Sequence, residues 1–230
     1  MTTFCLIHGA FHGAWCWERL EAELRRLGHE TVAMDLPCED ASAGNARYAE
    51  VVVDALGDRG PVTLVGHSLG GLTMPLVAAA RPVERMVFLC AFIPRPGEPF
   101  STQYGDPGIF PETPESTWPI VGEGRMAWPA ERAIPALYPD CTPEVAAWAA
   151  ARLREQTLTP HGEPCPLDAW PDVPSSSILA RDDLAVGAEW ARRAARDRLG
   201  TTAEELPGGH SPFLSRPAAL AEMLDRIVRS

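Results

Sequence analysis

Short apolar stretches alternate with amphipathic ones along most of this chain, and that alternation restricts the possible folds more tightly than any other feature. Residues 3–7, 31–34, 62–65, 86–89, 177–180 and 202–206 read as strands, bounded by glycine, proline or polar residues. Between and after them, 15–27, 47–58, 69–80, 186–199 and 216–228 read as helices. Strand and helix in alternation imply parallel pairing through right-handed crossovers. The strands are apolar without period-two alternation, as expected when helices cover both faces of a sheet. The expected architecture is therefore α/β, with a mostly parallel central sheet of about six strands.

The alternation lapses between about residues 94 and 174, where the sequence turns proline-rich and carries Trp118, Trp128, Trp148 and Trp170. A tether would be poor in large aromatics, so residues 95–173 are expected to pack down as a lid insertion within one domain spanning 1–230. One helix is expected in it, at about 144–155 behind the Thr142-Pro143 start.

Composition removes several function classes. The net charge is −11 and the basic residues are scattered, which argues against nucleic acid or an anionic membrane as partner. All 20 basic residues are arginine, so Schiff-base chemistry, pyridoxal phosphate attachment and a P-loop lysine are excluded. No glycine-rich dinucleotide fingerprint occurs. With no basic leader and no apolar run approaching the ~20 residues that span a bilayer, the protein is expected to be cytoplasmic and free of membrane. Its six cysteines, none in a CxxC pair, are expected to be reduced thiols rather than staples or zinc ligands. Nothing in the sequence specifies an oligomeric state.

The chemistry centres on Val62-Thr63-Leu64-Val65-Gly66-His67-Ser68-Leu69-Gly70-Gly71, a β-type run that ends in G-x-S-x-G and opens into a helix. That context makes Ser68 the expected nucleophile. Gly66 and Gly70 leave room where a side chain would strike the neighbouring strand and helix. Pro75 is expected to kink or loosen the helix that follows.

A serine hydroxyl needs a base at neutral pH, and the base needs a carboxylate to hold its tautomer. Downstream strands lead into Arg181-Asp182-Asp183 and into Pro207-Gly208-Gly209-His210-Ser211, where the fold would deliver an acid and a base to Ser68. His210 is the expected base. Periodicity does not separate Asp182 from Asp183; Asp183 is the favoured acid, and the other is expected to cap the next helix or face solvent. Of the remaining histidines, His8 and His67 flank motifs, His12 lies in the first glycine loop, and His29 and His161 sit in plain surface contexts. The loop His8-Gly9-Ala10-Phe11-His12-Gly13 follows the first strand, so the backbone N–H groups of Ala10 and Leu69 are the expected oxyanion donors.

Through the sequence from His8 to Trp17, Gly66-His67-Ser68-Leu69-Gly70-Gly71, the Asp183 loop and Gly209-His210, the chain resembles the α/β-hydrolases of the group holding plant salicylate methyl esterases and hydroxynitrile lyases. The similarity spans roughly 3–94 and 174–229. It implies an α/β-hydrolase fold, Ser68 as nucleophile, Asp183 as acid, His210 as base, and Ala10 and Leu69 as oxyanion amides. Lyases of that group carry threonine after the first loop histidine and lysine after the catalytic one. Gly9 and Ser211 stand there in this chain, so the resemblance favours the esterase branch.

The expected function is a serine hydrolase that cleaves a carboxylic ester, or a thioester or lactone, through an acyl-enzyme, with no metal or organic cofactor required. Phe11, His12, Trp118 and Trp128 are candidates for contact with a small apolar or aromatic substrate, though the insertion's rings equally suit a lid core. Two rival readings are a non-hydrolytic cyclase or lyase using the same triad, and a ligand receptor with little turnover.

Overall fold

The apolar stretches do assemble into a single parallel sheet. The structure is a computed structural model and describes residues 1–112 and 119–230. In chain order its first half runs β1 (Thr3–Ile7), α1 (Glu18–Arg26), β2 (Glu30–Ala33), α2 (Asn45–Leu56), β3 (Val62–His67), α3 (Gly70–Ala80) and β4 (Val83–Leu89). Between β4 and β8 lie β5 (Ile120–Gly122), β6 (Arg125–Ala127), α4 (Ala130–Leu137), α5 (Pro143–Ala150), β7 (Gln156–Thr157) and α6 (Thr159–Gly162). The chain closes with β8 (Ser175–Ala180), α7 (Ala188–Leu199), β9 (Glu204–Leu206), α8 (Pro212–Ser215) and α9 (Pro217–Arg229).

Six strands pair in the order β2-β1-β3-β4-β8-β9, every pair parallel. The order reverses at β1, which sends the chain outward to β2 and then back past itself to β3. At such a switch point the loops leaving the carboxyl ends of the two strands diverge and open a crevice, the usual place for a ligand. Those loops are the ones that begin at His8 and Ser68.

Strand geometry sends successive side chains to opposite faces, and the core divides accordingly. Cys5, Ile7, Leu64, Met86 and Phe88 pack with residues of α2, α3 and α7, including Val52, Met74, Val77 and Ala194. Phe4, Leu6, Val65, Val87 and Ile178 pack on the other face with Leu20 and Leu24 of α1 and Leu220, Leu224 and Ile227 of α9. Each such fully buried side chain contributes about 2 kcal/mol from the area it removes from water.

Two local expectations are corrected. Before α1 the chain forms a 3-10 turn, Ala14–Trp17, because Ala14 N–H is drawn to Asp35 Oδ1 at 2.7 Å and Cys16 N–H to the Gly13 carbonyl at 3.1 Å. α3 continues through Pro75, which is buried within it. α5 does start at Pro143 behind a Thr142 cap but stops at Ala150, short of the expected 155. There Arg154 is captured instead: its N–H reaches the Phe11 carbonyl at 2.7 Å and its guanidinium grips Glu39 and the Leu36 carbonyl. Beyond it the chain is pulled into β7, which joins β5 and β6 in a small antiparallel sheet that the sequence did not announce. Glu123 and Gly124 turn the β5–β6 hairpin with φ of 53° and 76°, the left-handed pair that two-residue hairpins favour.

Among the described residues no helix is long and apolar enough to cross a membrane. All six cysteines are unpaired.

α3 lies so close to the segment after β4 that a Cβ on Gly71 would stand 2.2 Å from the Phe92 carbonyl oxygen. Backbone on both sides gives no cheap escape. Gly71→Ala is expected to lower unfolding free energy by about 2–3 kcal/mol, seen as a fall in urea midpoint at unchanged m-value.

Candidate active site

β3 delivers Ser68 on the short turn that leads into α3. Its φ is +50°, a left-handed conformation that costs a non-glycine residue about 1–2 kcal/mol. Hydrogen bonds to the end of β4 hold it there: Ser68 N–H donates to the Leu89 carbonyl at 3.2 Å, and the Ser68 carbonyl accepts from Phe92 N–H at 3.1 Å. A Cβ on Gly70 would meet the Ile7 carbonyl oxygen at 2.7 Å, so glycine lets α3 leave this close to β1.

The loops after β8 and β9 bring an acid and an imidazole together. His210 Nδ1 lies 2.8 Å from Asp183 Oδ2, with each side chain only 2% exposed. Because a carboxylate accepts, Nδ1 carries the proton and Nε2 is the nitrogen left for another group. The other Asp183 oxygen accepts from Ala185 N–H at 2.8 Å and Val186 N–H at 2.9 Å, which fixes the carboxylate plane. Asp182 is exposed and clasps the histidine loop, its N–H donating to the Gly208 carbonyl and its Oδ2 accepting from Gly208 N–H, both at 3.0 Å. Neither aspartate caps α7, whose N-cap position is Gly187 without a side-chain cap. His67 braces His210, with Nε2–H donating to the His210 carbonyl at 3.0 Å and ring centroids 4.5 Å apart.

In the first glycine loop, Leu36 N–H donates to His8 Nε2 at 2.9 Å, so His8 Nδ1 bears the proton and donates it to the Gly9 carbonyl at 2.8 Å. In a trans peptide the Gly9 carbonyl and the Ala10 N–H point opposite ways. Fixing one therefore aims the other. His12 donates from Nδ1 to the Ala10 carbonyl at 2.8 Å and accepts at Nε2 from the Tyr138 hydroxyl at 2.9 Å, linking the loop to the end of α4. Among the described residues neither Ala10 N–H nor Leu69 N–H has a hydrogen-bond partner.

Ala10, Phe11, His12, Ser68, Leu69 and His210 all line one cavity of about 420 Å³, and Asp183 stands behind His210. The rest of the wall is mostly apolar and includes Phe92, Phe110, Met126, Trp128 and Leu137. The insertion's tryptophans divide between two roles. Trp128 faces the cavity, 5.4 Å from Phe11, whereas Trp148 packs on Trp15 at 5.2 Å and Trp170 on Phe88 at 6.0 Å. Trp118 lies outside the described residues.

Two histidines expected at the surface are buried. His29 Nε2 pairs with Asp225 at 2.9 Å against Phe4, and His161, on α6, lines the cavity beside Tyr104. Thr159-Pro160-His161-Gly162 is too short to show a helical period, so its sequence gave no sign of this.

Burial holds four imidazoles neutral: His8 is lowered to about 4, His12 to about 3, His161 to about 4, and His67 well below its ordinary value. Above pH ~6.5 these groups are neutral folded or unfolded and cost nothing. As pH falls from there toward 4 the unfolded chain takes up protons the folded chain refuses, and stability drops by about 1.4 kcal/mol per pH unit for each histidine. The protein is expected to unfold between about pH 4 and pH 6, with uptake of more than two protons per molecule near pH 5.5, by circular dichroism and potentiometry.

A model of the alpha/beta hydrolase family matches residues 6–223. The chain is 27% identical over 238 residues to the alpha/beta hydrolase nvfD of Aspergillus novofumigatus, covering 95% of this chain and 93% of that one. It is 29% identical over 257 aligned positions to the probable esterase PIR7A of Oryza sativa subsp. indica, covering 97% and 95%. The crystal structure of a methylesterase protein from Arabidopsis superimposes with a TM-score of 0.79 at 22% identity, over 100% of this chain and 99% of the other.

Proposed function

Because the chain belongs to the alpha/beta hydrolase family, we propose that it is a carboxylic ester hydrolase working through Ser68, His210 and Asp183. The observation that carries this reading is the buried His210–Asp183 pair on the wall of the cavity that also holds Ser68 on its strained turn. Relatives that bear the names esterase and methylesterase across plants support the reaction class.

In this mechanism His210 Nε2 takes the Ser68 proton as the hydroxyl attacks the ester carbonyl, and the Ala10 and Leu69 N–H groups receive the oxyanion. Asp183 stabilises the imidazolium and keeps its orientation. His210 then protonates the leaving alkoxide, activates water on the opposite half-reaction, and the acyl group leaves as the acid. Thioesters and lactones fit the same steps. An apolar cavity of about 420 Å³ suits a small apolar or aromatic ester, and the proposed lid, 95–173, contributes Phe110, Met126, Trp128 and His161 to its wall. Unpaired cysteines and a net charge of −11 support a cytoplasmic enzyme that does not bind nucleic acid.

The test is a fluorophosphonate probe together with p-nitrophenyl butyrate. Stoichiometric labelling of Ser68 by mass spectrometry and a burst of nitrophenol are expected; folded protein that stays unlabelled and inert would remove the proposal. His8 adds a quantitative check, since it aims the Ala10 donor without touching substrate. His8→Leu is expected to lower kcat about tenfold with KM changed less than about twofold, because the donor serves the oxyanion rather than the ground state.

A further inference from the structure

Among the described residues, away from Ser68 and its neighbouring histidines, the polar side chains on the cavity wall are Tyr104, His161, Glu112, which is exposed, and Trp128, whose indole N–H is buried without a partner. Tyr104 stands at the end of a run of rings that begins beside the nucleophile. Phe92, whose N–H holds the Ser68 carbonyl, packs on Phe100 at 4.3 Å and Phe110 at 6.0 Å, and Tyr104 meets each of those at 5.5 Å.

The Tyr104 hydroxyl lies 2.5 Å from His161 Nδ1. Which of the two donates follows from the far side of the imidazole. His161 Nε2 is buried and has no partner among the described residues. A proton there would be a buried N–H without an acceptor, which is costly, whereas a bare ring nitrogen is cheaper to leave. The proton therefore sits on Nδ1 and donates to the Tyr104 oxygen. That leaves the hydroxyl's own hydrogen without an acceptor among the described residues, on a side chain that is 42% exposed. Burial lowers His161 to about 4 and raises Tyr104 to about 12, so neither changes protonation near neutrality.

We propose that Tyr104, oriented by His161, is a hydrogen-bond donor to an acceptor group on the substrate remote from the scissile ester. This deepens the esterase reading and rests on it: the preferred substrate is an apolar or aromatic ester whose body bears a second acceptor, such as a ketone carbonyl.

The probes are methyl arylpropanoates bearing, at the meta or para position, an acetyl group or its isostere isopropenyl, which differ only in C=O against C=CH2. The ratio of kcat/KM for acetyl over isopropenyl is expected to fall about fivefold on Tyr104→Phe at one of the two positions. A ratio that stays within about twofold at both positions overturns the proposal. Binding of the same esters to Ser68→Ala, with and without Tyr104→Phe, reads the contact by calorimetry without turnover. There the acetyl preference should again fall with Tyr104→Phe, and equal binding of both esters, or none by either, overturns the proposal. Discrimination through Tyr104 in a protein that cleaves no ester would keep the donor assignment and remove the esterase reading instead.

Discussion

Ser68→Ala is expected to reduce kcat for p-nitrophenyl butyrate by roughly a million-fold and to eliminate fluorophosphonate labelling. The reason for so large an effect is that, among the described residues, no other serine or threonine lines the cavity. Ser68 occupies a left-handed turn whose geometry is imposed by Leu89, Phe92 and the glycines on either side, and His210 lines the same cavity. Removing one oxygen leaves His210 with nothing to deprotonate except water. The substitution also leaves packing intact, since alanine keeps the Cβ, so the far-ultraviolet spectrum and thermal midpoint should match the parent. Residual activity within about tenfold of the parent would show that another group attacks the ester.

The second large effect separates two neighbouring aspartates. Asp183→Asn is expected to lower kcat about ten-thousand-fold, or about 5.5 kcal/mol in barrier. Asparagine at 183 would offer an amide N–H or a weaker carbonyl to His210 Nδ1, and an N–H there forces the proton onto Nε2, the nitrogen that must accept from Ser68. Asp182→Asn is expected to cost less than about threefold. Its carboxylate accepts from one backbone amide, Gly208 N–H, and an asparagine oxygen can accept the same bond. Steady-state kinetics on the two purified variants decide the matter: a reversed order of losses would move the acid to Asp182.

The strands were legible because burial on both faces leaves little choice of residue. Val62–His67 is buried at every position, and its apolar run is readable without any structure. Likewise the fold class follows from alternation, and the two glycine loops from their position after strands. Periodicity alone does not separate Asp182 from Asp183, because the choice depends on which way a loop carboxylate turns; the preference for Asp183 came with the family resemblance. The small sheet β5-β6-β7 escaped notice for another reason: strands of two or three residues carry no period, and only the turn at Glu123-Gly124 marks the place. The end of α5 was set from outside the helix, by Arg154 reaching Glu39, Leu36 and Phe11 across the molecule. For the same reason no local pattern distinguished His161 from a solvent-facing residue.

The proposed reacting groups stand on loops of the parallel sheet, while Tyr104, Phe110, Met126, Trp128, Leu137 and His161 reach the same hollow from the stretch that interrupts it. Clientele and chemistry are thus written in separate passages of the chain, and the former can be revised while the latter is left alone. Among the described residues two hydrogen bonds tie that stretch to the glycine loop and limit the freedom: Tyr138 to His12, and Arg154 to Phe11. A transplanted canopy that omits either stitch would let the glycine loop wander, and the chimera would accept new guests but convert them slowly.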